Sequence, residues 1–107
     1  MNENSAMTNQ ECLIALSITP TLEEAIVDFL LTFESENGFK SYPISSHHHN
    51  ASGLSLAEQV SGRQNRICFE MYIPNDEHQI FINKLKQEFK GAAIEYRVLP
   101  VTDSGLI

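Results

Sequence analysis

Three consecutive histidines are the residues of this chain with the clearest capacity for chemistry: His47, His48 and His49. Imidazole nitrogens bind zinc, copper and nickel, and a loop allows adjacent side chains to approach one ion. Successive side chains diverge in extended chain, so a complete site needs a further ligand. Its candidates are His78, Glu58, Cys68 and a second copy of the chain. The alternative is that the three histidines are solvated and bind no metal.

A second candidate site lies at the end of the same stretch. Arg63 and Arg66 stand where the chain returns to a predicted strand, and two guanidinium groups suit an anion such as phosphate or carboxylate. Between Ser55 and Gly62, a capping-box spacing and a terminal glycine predict a short helix. The residues assigned to this ligand site are Glu58, Gln59, Arg63 and Arg66. The alternative is ion pairing of the arginines with Glu58 or Glu70.

Four strands and two helices are predicted around this stretch. Apolar alternation predicts strands at residues 11–18, 39–44, 66–73 and 93–101, and apolar residues at helical spacing predict helices after Pro20 and after Asp76. This order, with right-handed crossovers, predicts an α+β ferredoxin-like βαββαβ fold. Its four-stranded antiparallel sheet has both helices on one face. Residues 1–10 are predicted to be a disordered tail, residues 11–107 one domain, and residues 45–65 a long loop between the second and third strands.

The second face of this sheet is predicted to be bare, because both helices cover the first. The side chains expected on it are Cys68, Glu70, Tyr72, Glu95 and Arg97. This mixture is more polar than a core and less polar than a free surface, and a large bare sheet face commonly marks an association surface. The sequence therefore predicts a homo-oligomer.

Composition excludes several classes of protein. Acidic residues outnumber basic ones 14 to 7, the formal net charge is −7, and no basic stripe is present, which argues against nucleic-acid binding. No apolar run is long enough to insert in a membrane, and residues 1–6 lack the features of a secretory signal, so we expect a cytoplasmic protein. Cys12 and Cys68 are expected to be small strand side chains rather than a disulfide.

Catalysis has little support in the sequence. No glycine-rich phosphate loop, nucleophile elbow or spaced metalloprotease motif is present. A cofactor-free oxygenase or isomerase of ferredoxin-like fold would need polar groups on the helix-covered face of the sheet, where this chain has Ile, Leu, Phe and Met. We therefore expect no enzyme, and a metal-buffering protein is the further alternative.

Three segments resemble the PII-like proteins, the superfamily of nitrogen-regulatory protein PII. Residues 66–76, Arg-Ile-Cys-Phe-Glu-Met-Tyr-Ile-Pro-Asn-Asp, resemble the family's strand-to-helix passage. Residues 55–63, Ser-Leu-Ala-Glu-Gln-Val-Ser-Gly-Arg, and residues 100–105, Pro-Val-Thr-Asp-Ser-Gly, are similar to a group of small uncharacterised bacterial PII-like proteins. That group is often encoded beside heavy-metal efflux systems.

The resemblance implies a signalling protein: a trimer whose long loops, here residues 45–65, project to contact a partner protein. In the nitrogen regulators, nucleotides bind between subunits and the loop reports their presence. This chain departs from that pattern. Residues 89–93 lack the family's phosphate-cradling glycine segment, no tyrosine lies within the loop, and the tail after Val101 is short and without basic residues. The resemblance therefore implies a loop that responds to a small ligand, with a divalent transition metal as the candidate and nucleotide binding in doubt.

Overall fold

The computed structural model describes residues 10–33, 38–47 and 63–107. Its elements are β1 (Glu11–Ile18), α1 (Glu23–Leu31), β2 (Phe39–His47), β3 (Arg63–Pro74), α2 (His78–Glu88) and β4 (Glu95–Pro100). A short 3-10 turn precedes each helix, at Pro20–Leu22 and at Asn75–Glu77. Pro20 suits such a start because its ring fixes φ and its missing N–H is not needed there.

The four strands form one antiparallel sheet in the order β2-β3-β1-β4. β1 lies at the centre, with β3 and β4 on either side of it. This arrangement, with the two helices, is the ferredoxin-like α+β fold predicted from the order of the elements. The fold prediction is therefore confirmed.

One hydrophobic core lies between the sheet and both helices. Alternate residues of β1, from Cys12 to Ile18, are buried in it, and α1 and α2 each contribute three buried side chains. The rings of Phe29 on α1 and Phe81 on α2 meet edge to face at 5.7 Å, a favoured aromatic geometry. Both helices therefore cover the same face of the sheet, as predicted.

The opposite side of the sheet, here called the open face, is covered by neither α1 nor α2. The strand register aligns its side chains in three rows across the sheet: Tyr72, Leu13 and Leu99; Lys40, Glu70, Ala15 and Arg97; and Tyr42, Cys68, Ser17 and Glu95. All five side chains predicted for a bare face lie in these rows. Several on the central strands, including Ala15 and Cys68, are only half-buried.

β2 and β3 form a hairpin that extends past the rest of the sheet. β1 pairs with β3 only as far as Ile18 opposite Ile67, whereas β2 continues to pair until His47 lies opposite Arg63. Arg63, four residues before Ile67 in β3, thus lies about 13 Å beyond the last pairing of β1 with β3, at about 3.3 Å per residue. The sequence predicts a loop at residues 45–47 and 63–65; this boundary is wrong, because these residues belong to β2 and β3.

Neither helix, in the ranges that the structure describes, is long and apolar enough to cross a membrane.

Candidate functional site

The projecting hairpin holds the predicted metal and anion residues that the structure describes. His47 and Arg63 are paired at its end and both are exposed. His48, His49, Glu58 and Gln59, with the short helix predicted between Ser55 and Gly62, lie outside the described residues, as do residues 1–9 of the predicted tail. The structure thus brings His47 and Arg63 together at one end of the molecule.

His78 and Cys68, two of the proposed further metal ligands, lie far from His47 within one chain. Arg63 and Pro74 stand at opposite ends of β3, about 35 Å apart at about 3.3 Å per residue, and His78 begins the next helix. There, its Nδ1 lies 2.7 Å from the carbonyl oxygen of Asn75. Cys68 is five residues from Arg63 and on the other face of the sheet.

No group of three or more metal-binding His, Cys, Asp or Glu side chains occurs among residues 10–33, 38–47 and 63–107. A site that uses His47 would therefore draw its other ligands from the segment 48–62 or from a second copy of the chain. The metal site stays a prediction.

Arg66 is buried, with 5% of its surface exposed. Its Nε donates to the Oγ of Ser17 at 2.6 Å, and its Nη2 donates to the carbonyl oxygens of Ser17 at 2.6 Å and Ala93 at 3.2 Å. The side chain thus links β3, β1 and the turn that precedes β4. These three acceptors satisfy the buried charge with neutral oxygens. Of the two arginines, Arg63 is the exposed one at the hairpin end, and the anion site stays a prediction.

Ala93 has a backbone φ of 57°, in the left-handed region. An L-residue with a Cβ pays about 1–2 kcal/mol for this conformation. The carbonyl oxygen of Ala93 is the one that Arg66 binds, so a strained turn and a buried arginine are parts of one arrangement. Sequence reasoning did not identify Ser17 or Ala93. The serine within the apolar run of β1 was an available signal, whereas alanine gives no indication of a positive φ.

A cluster of Tyr42, Cys68 and Glu70 lies on the open face, across β2 and β3. The hydroxyl of Tyr42 donates to Oε2 of Glu70 at 2.7 Å, and Tyr42 lies opposite Cys68 in the strand register. Contacts with Cys68 and with the Glu70 carboxylate raise the pKa of Tyr42 above its usual value, because each favours the neutral phenol. The cluster is a polar hydrogen-bonded feature of a face that also carries Leu13 and Leu99.

Cys12 is buried among the core residues beneath the helices, and both cysteines are free thiols. Burial, with a smaller contribution from the charge of Glu11, raises the pKa of the Cys12 thiol. Cys12 is on the helix-covered face and Cys68 is on the open face. The expectation of two separate thiols is confirmed.

Three solved structures are similar to this chain. A DUF3240 family protein from Shewanella baltica aligns with a TM-score of 0.71 and 21% identity, over 91% of this chain and 96% of its own. A Bacillus cereus protein related to NIF3 gives a TM-score of 0.66 and 14% identity, over 92% of this chain but only 27% of its own. CutA from Synechococcus elongatus gives 0.58 and 15%, over 88% and 79%.

At these identities the similarity is one of fold, and the resemblance to PII-like proteins stays an expectation from the sequence. No curated protein shows significant sequence similarity to this chain. A family model described as "Protein of unknown function (DUF3240)" matches residues 7–107. Because that match spans nearly the whole sequence, the chain belongs to the DUF3240 family.

Proposed function

We propose that this chain is a non-enzymatic, PII-like regulatory protein of the cytoplasm. It assembles through the open face as a homo-oligomer, with the trimer as the expected state. The segment between β2 and β3 responds to a small ligand, for which a transition-metal ion is the first candidate, and contacts a partner protein.

The observation that carries this proposal is the projecting hairpin. Paired strands hold His47 and Arg63 about 13 Å beyond the last pairing of β1 with β3. A two-stranded extension of this kind buries little apolar surface, so the core does not require it. It does place His47 and Arg63, the two points to which the segment 48–62 is joined, beyond the sheet body, which suits a segment that contacts another protein.

The open face supports the oligomeric part of the proposal. Leu99 and Tyr42 are each more than 40% exposed there, beside Leu13 and Ala15. An antiparallel sheet can leave one face in water, but the side chains on such a face are normally polar along every strand. Mixed apolar and charged side chains across three rows suit contact with a second copy.

The helix-covered face supports a protein without catalysis. Among the described residues, the buried side chains between sheet and helices are apolar or sulfur-bearing, and Arg66, the single buried charged residue, belongs to the open face. A cofactor-free enzyme of this fold would need polar groups in that interior. The net charge of −7 supports a partner other than nucleic acid.

Isothermal titration with zinc, copper and nickel tests the metal ligand. We expect binding to the wild type and none to the His47→Ala/His48→Ala/His49→Ala variant. His78→Ala is the matched control, because its imidazole is held by Asn75 at the other end of β3 and should not affect binding. If the wild type gives no heat with any of the three metals, the hypothesis of a metal ligand is wrong. An anion or a protein that binds at Arg63 is then the remaining candidate.

Limited proteolysis separates a regulator from a metal-buffering protein. A regulator whose segment 48–62 is ordered by its ligand should be cleaved there several-fold more slowly when metal is present. Metal binding with no change in cleavage would favour the buffering alternative.

Light scattering tests the oligomer. At micromolar concentration we expect a mass of about three times 12.0 kDa. The variant Ala15→Arg should have a lower mass, because Ala15 lies in the middle row of the open face. Ile80→Arg, an exposed position on α2, is the control. A wild-type monomer would end the oligomeric part of the proposal.

A further inference from the structure

A pocket of about 300 Å³ lies between the end of α2 and β4, on the helix side of the sheet. Its apolar lining comes from Leu85 and Phe89 at the helix end and from Ile94 and Tyr96 around the start of β4. Leu85 is buried in the core, whereas Tyr96 is 42% exposed and lies opposite the buried Leu16 in the strand register. The pocket is therefore an apolar hollow that opens to solvent at the β4 edge of the sheet.

Two exposed lysines complete the lining of this pocket. Lys86 lies in the last turn of α2, and Lys90 follows the end of that helix. The Nζ atom of Lys86 is 5.5 Å from the centre of the Tyr96 ring. Within the part of the chain that the structure describes, neither side-chain amine has an ion pair or hydrogen bond, and no acidic residue lines the pocket. The pocket thus holds two positive charges and no carboxylate, in a chain whose net charge is −7.

The helix dipole accounts for a cation at this place, but it does not account for the apolar hollow beside it. Positive side chains are favoured near the carboxyl end of a helix, so one lysine there needs no ligand. Small-molecule sites combine an apolar lining with a few charged groups that fix the orientation of the ligand. A carboxylate accepts strong hydrogen bonds from ammonium groups, and an apolar body attached to it would leave water on entering the hollow. The chemistry that fits both features is an anion with an apolar body.

We propose that this pocket binds a small carboxylic acid with an aromatic or branched apolar body. Lys86 and Lys90 bind its carboxylate, and the apolar body lies against Phe89, Ile94 and Tyr96. The volume is at the lower end of the range for small-molecule sites, which favours such a compact ligand over a nucleotide.

The turn between α2 and β4 connects this pocket to the interior of the molecule. Ala93, with its φ of 57°, lines the pocket, and its carbonyl oxygen accepts a hydrogen bond from Arg66 at 3.2 Å. A ligand that packs against this turn favours the conformation that Arg66 already holds, and its binding should raise the thermal stability of the chain. The pocket contains neither His47 nor any residue of the three open-face rows, so its test is independent of the metal ligand and the oligomer proposed above.

Titration of isotope-labelled protein with indoleacetate, followed by NMR of the backbone amides, tests both the affinity and the location of binding. We expect saturable shifts at residues 85–96, with a dissociation constant of about 1 mM or tighter for a ligand of this size. Indoleacetamide has nearly the same shape but no charge. It should bind at least about tenfold more weakly, because Lys86 and Lys90 lose a charged acceptor.

The variant Lys86→Gln/Lys90→Gln removes the two charges, and Lys84→Gln is its matched control. We expect the double variant to bind indoleacetate at least about tenfold more weakly than the wild type. The control should bind within about twofold of the wild type, because Lys84 lies over the ring of Phe33, outside the pocket. All three lysines are exposed, so each variant should fold as the wild type does.

The proposal is overturned if indoleacetate causes no saturable shift, or if the shifts lie outside residues 85–96. Equal binding of indoleacetamide, or of indoleacetate to the double variant, would show that the lysines do not bind the carboxylate and would also overturn it. Inorganic phosphate that gives the same shifts at a lower concentration would contradict a role for the apolar body. ATP that binds there more tightly than indoleacetate would replace the carboxylic acid with a nucleotide. None of these results alters the metal titration or the light scattering proposed above.

Discussion

At the residue scale, the guanidinium of Arg66 connects three parts of the chain that are far apart in sequence. It is buried on β3 and bonds to Ser17 on β1 and to Ala93 in the turn before β4. A buried arginine stays charged, so its surroundings must supply hydrogen-bond acceptors. The neutral oxygens of Ser17 and Ala93 do so here.

Substituting Arg66 should destabilise the fold rather than affect a ligand alone. For Arg66→Ala we expect the free energy of unfolding to fall by about 2–4 kcal/mol, because three acceptors lose a charged donor. Arg66→Lys should recover only part of this loss, since one ammonium group cannot reach both Ser17 and Ala93. Urea denaturation measures the change, and Lys90→Ala, an exposed position, is the control with an effect within about 0.5 kcal/mol. Equal stability of Arg66→Ala and the control would contradict this account.

Ala93 offers a stabilising substitution. Ala93→Gly removes the cost of a Cβ at φ 57°, and this gain exceeds the added entropy of the unfolded glycine, for a net increase of up to about 1 kcal/mol. The neighbouring Ala92→Gly, which lacks a positive φ, should instead lower the stability by about 0.5–1 kcal/mol. Thermal unfolding of the two variants should therefore shift in opposite directions, and a shift in the same direction would argue against strain at Ala93.

At the element scale, the hairpin of β2 and β3 differs most from what the sequence indicates. Its outer pairs, Ser45 with Asn65 and Ser46 with Gln64, are polar on both strands. Alternation of apolar residues is the signal by which strands are recognised, and it is missing there. The backbone bonds between the two strands maintain the pairing, and these depend on a partner that is distant in sequence.

The titration of Tyr42, which lies on the same hairpin, can be measured. The pKa of Tyr42 is raised by Cys68 and by Glu70, so the folded pKa lies above the unfolded value of 10.0. The neutral phenol therefore adds stability below that value, and the contribution is lost as the pH rises through the folded pKa. Below the alkaline unfolding transition, tyrosinate absorbance should show Tyr42 still protonated.

Tyr42→Phe identifies that tyrosine. It should remove the part of the tyrosinate signal that develops at the highest pH, because the pKa of Tyr42 is raised by its contacts with Cys68 and Glu70. Loss of an early step in Tyr42→Phe would show that the hydrogen bond to Glu70 does not hold the proton.

At the scale of the whole molecule, the sheet divides the chain into two chemically different sides. Cys12 is 0% exposed beneath the helices, whereas Cys68 is half-buried on the open face. If a second copy covers that face, the reactivity of the two thiols should respond differently to protein concentration.

Thiol labelling of the native protein tests this difference. In dilute solution Cys68 should react and Cys12 should not, because Cys12 is buried and its pKa is raised. As the concentration rises through the range of association, the rate at Cys68 should fall several-fold. Cys68→Ser should abolish native labelling at every concentration. A rate at Cys68 that is independent of concentration would contradict coverage of the open face.

The sequence by itself determined the order of the elements, the fold and the division of side chains between the two sheet faces. Apolar residues alternate in β1 and β3, and they recur at helical spacing around Phe29 and Phe81. Each pattern indicates which side of its segment is buried, and it is visible within that segment alone. For this reason the sequence alone places residues such as Glu70 and Arg97 on the open face.

The tertiary structure alone decided how far the hairpin projects and what Arg66 binds. Each depends on which distant residue a side chain or strand meets: Arg63 for His47, and Ser17 and Ala93 for Arg66. Two arginines three residues apart look alike in a sequence. The sheet register buries one and exposes the other, because only Arg66 lies where a strand and a turn from elsewhere in the chain offer acceptors to its charge.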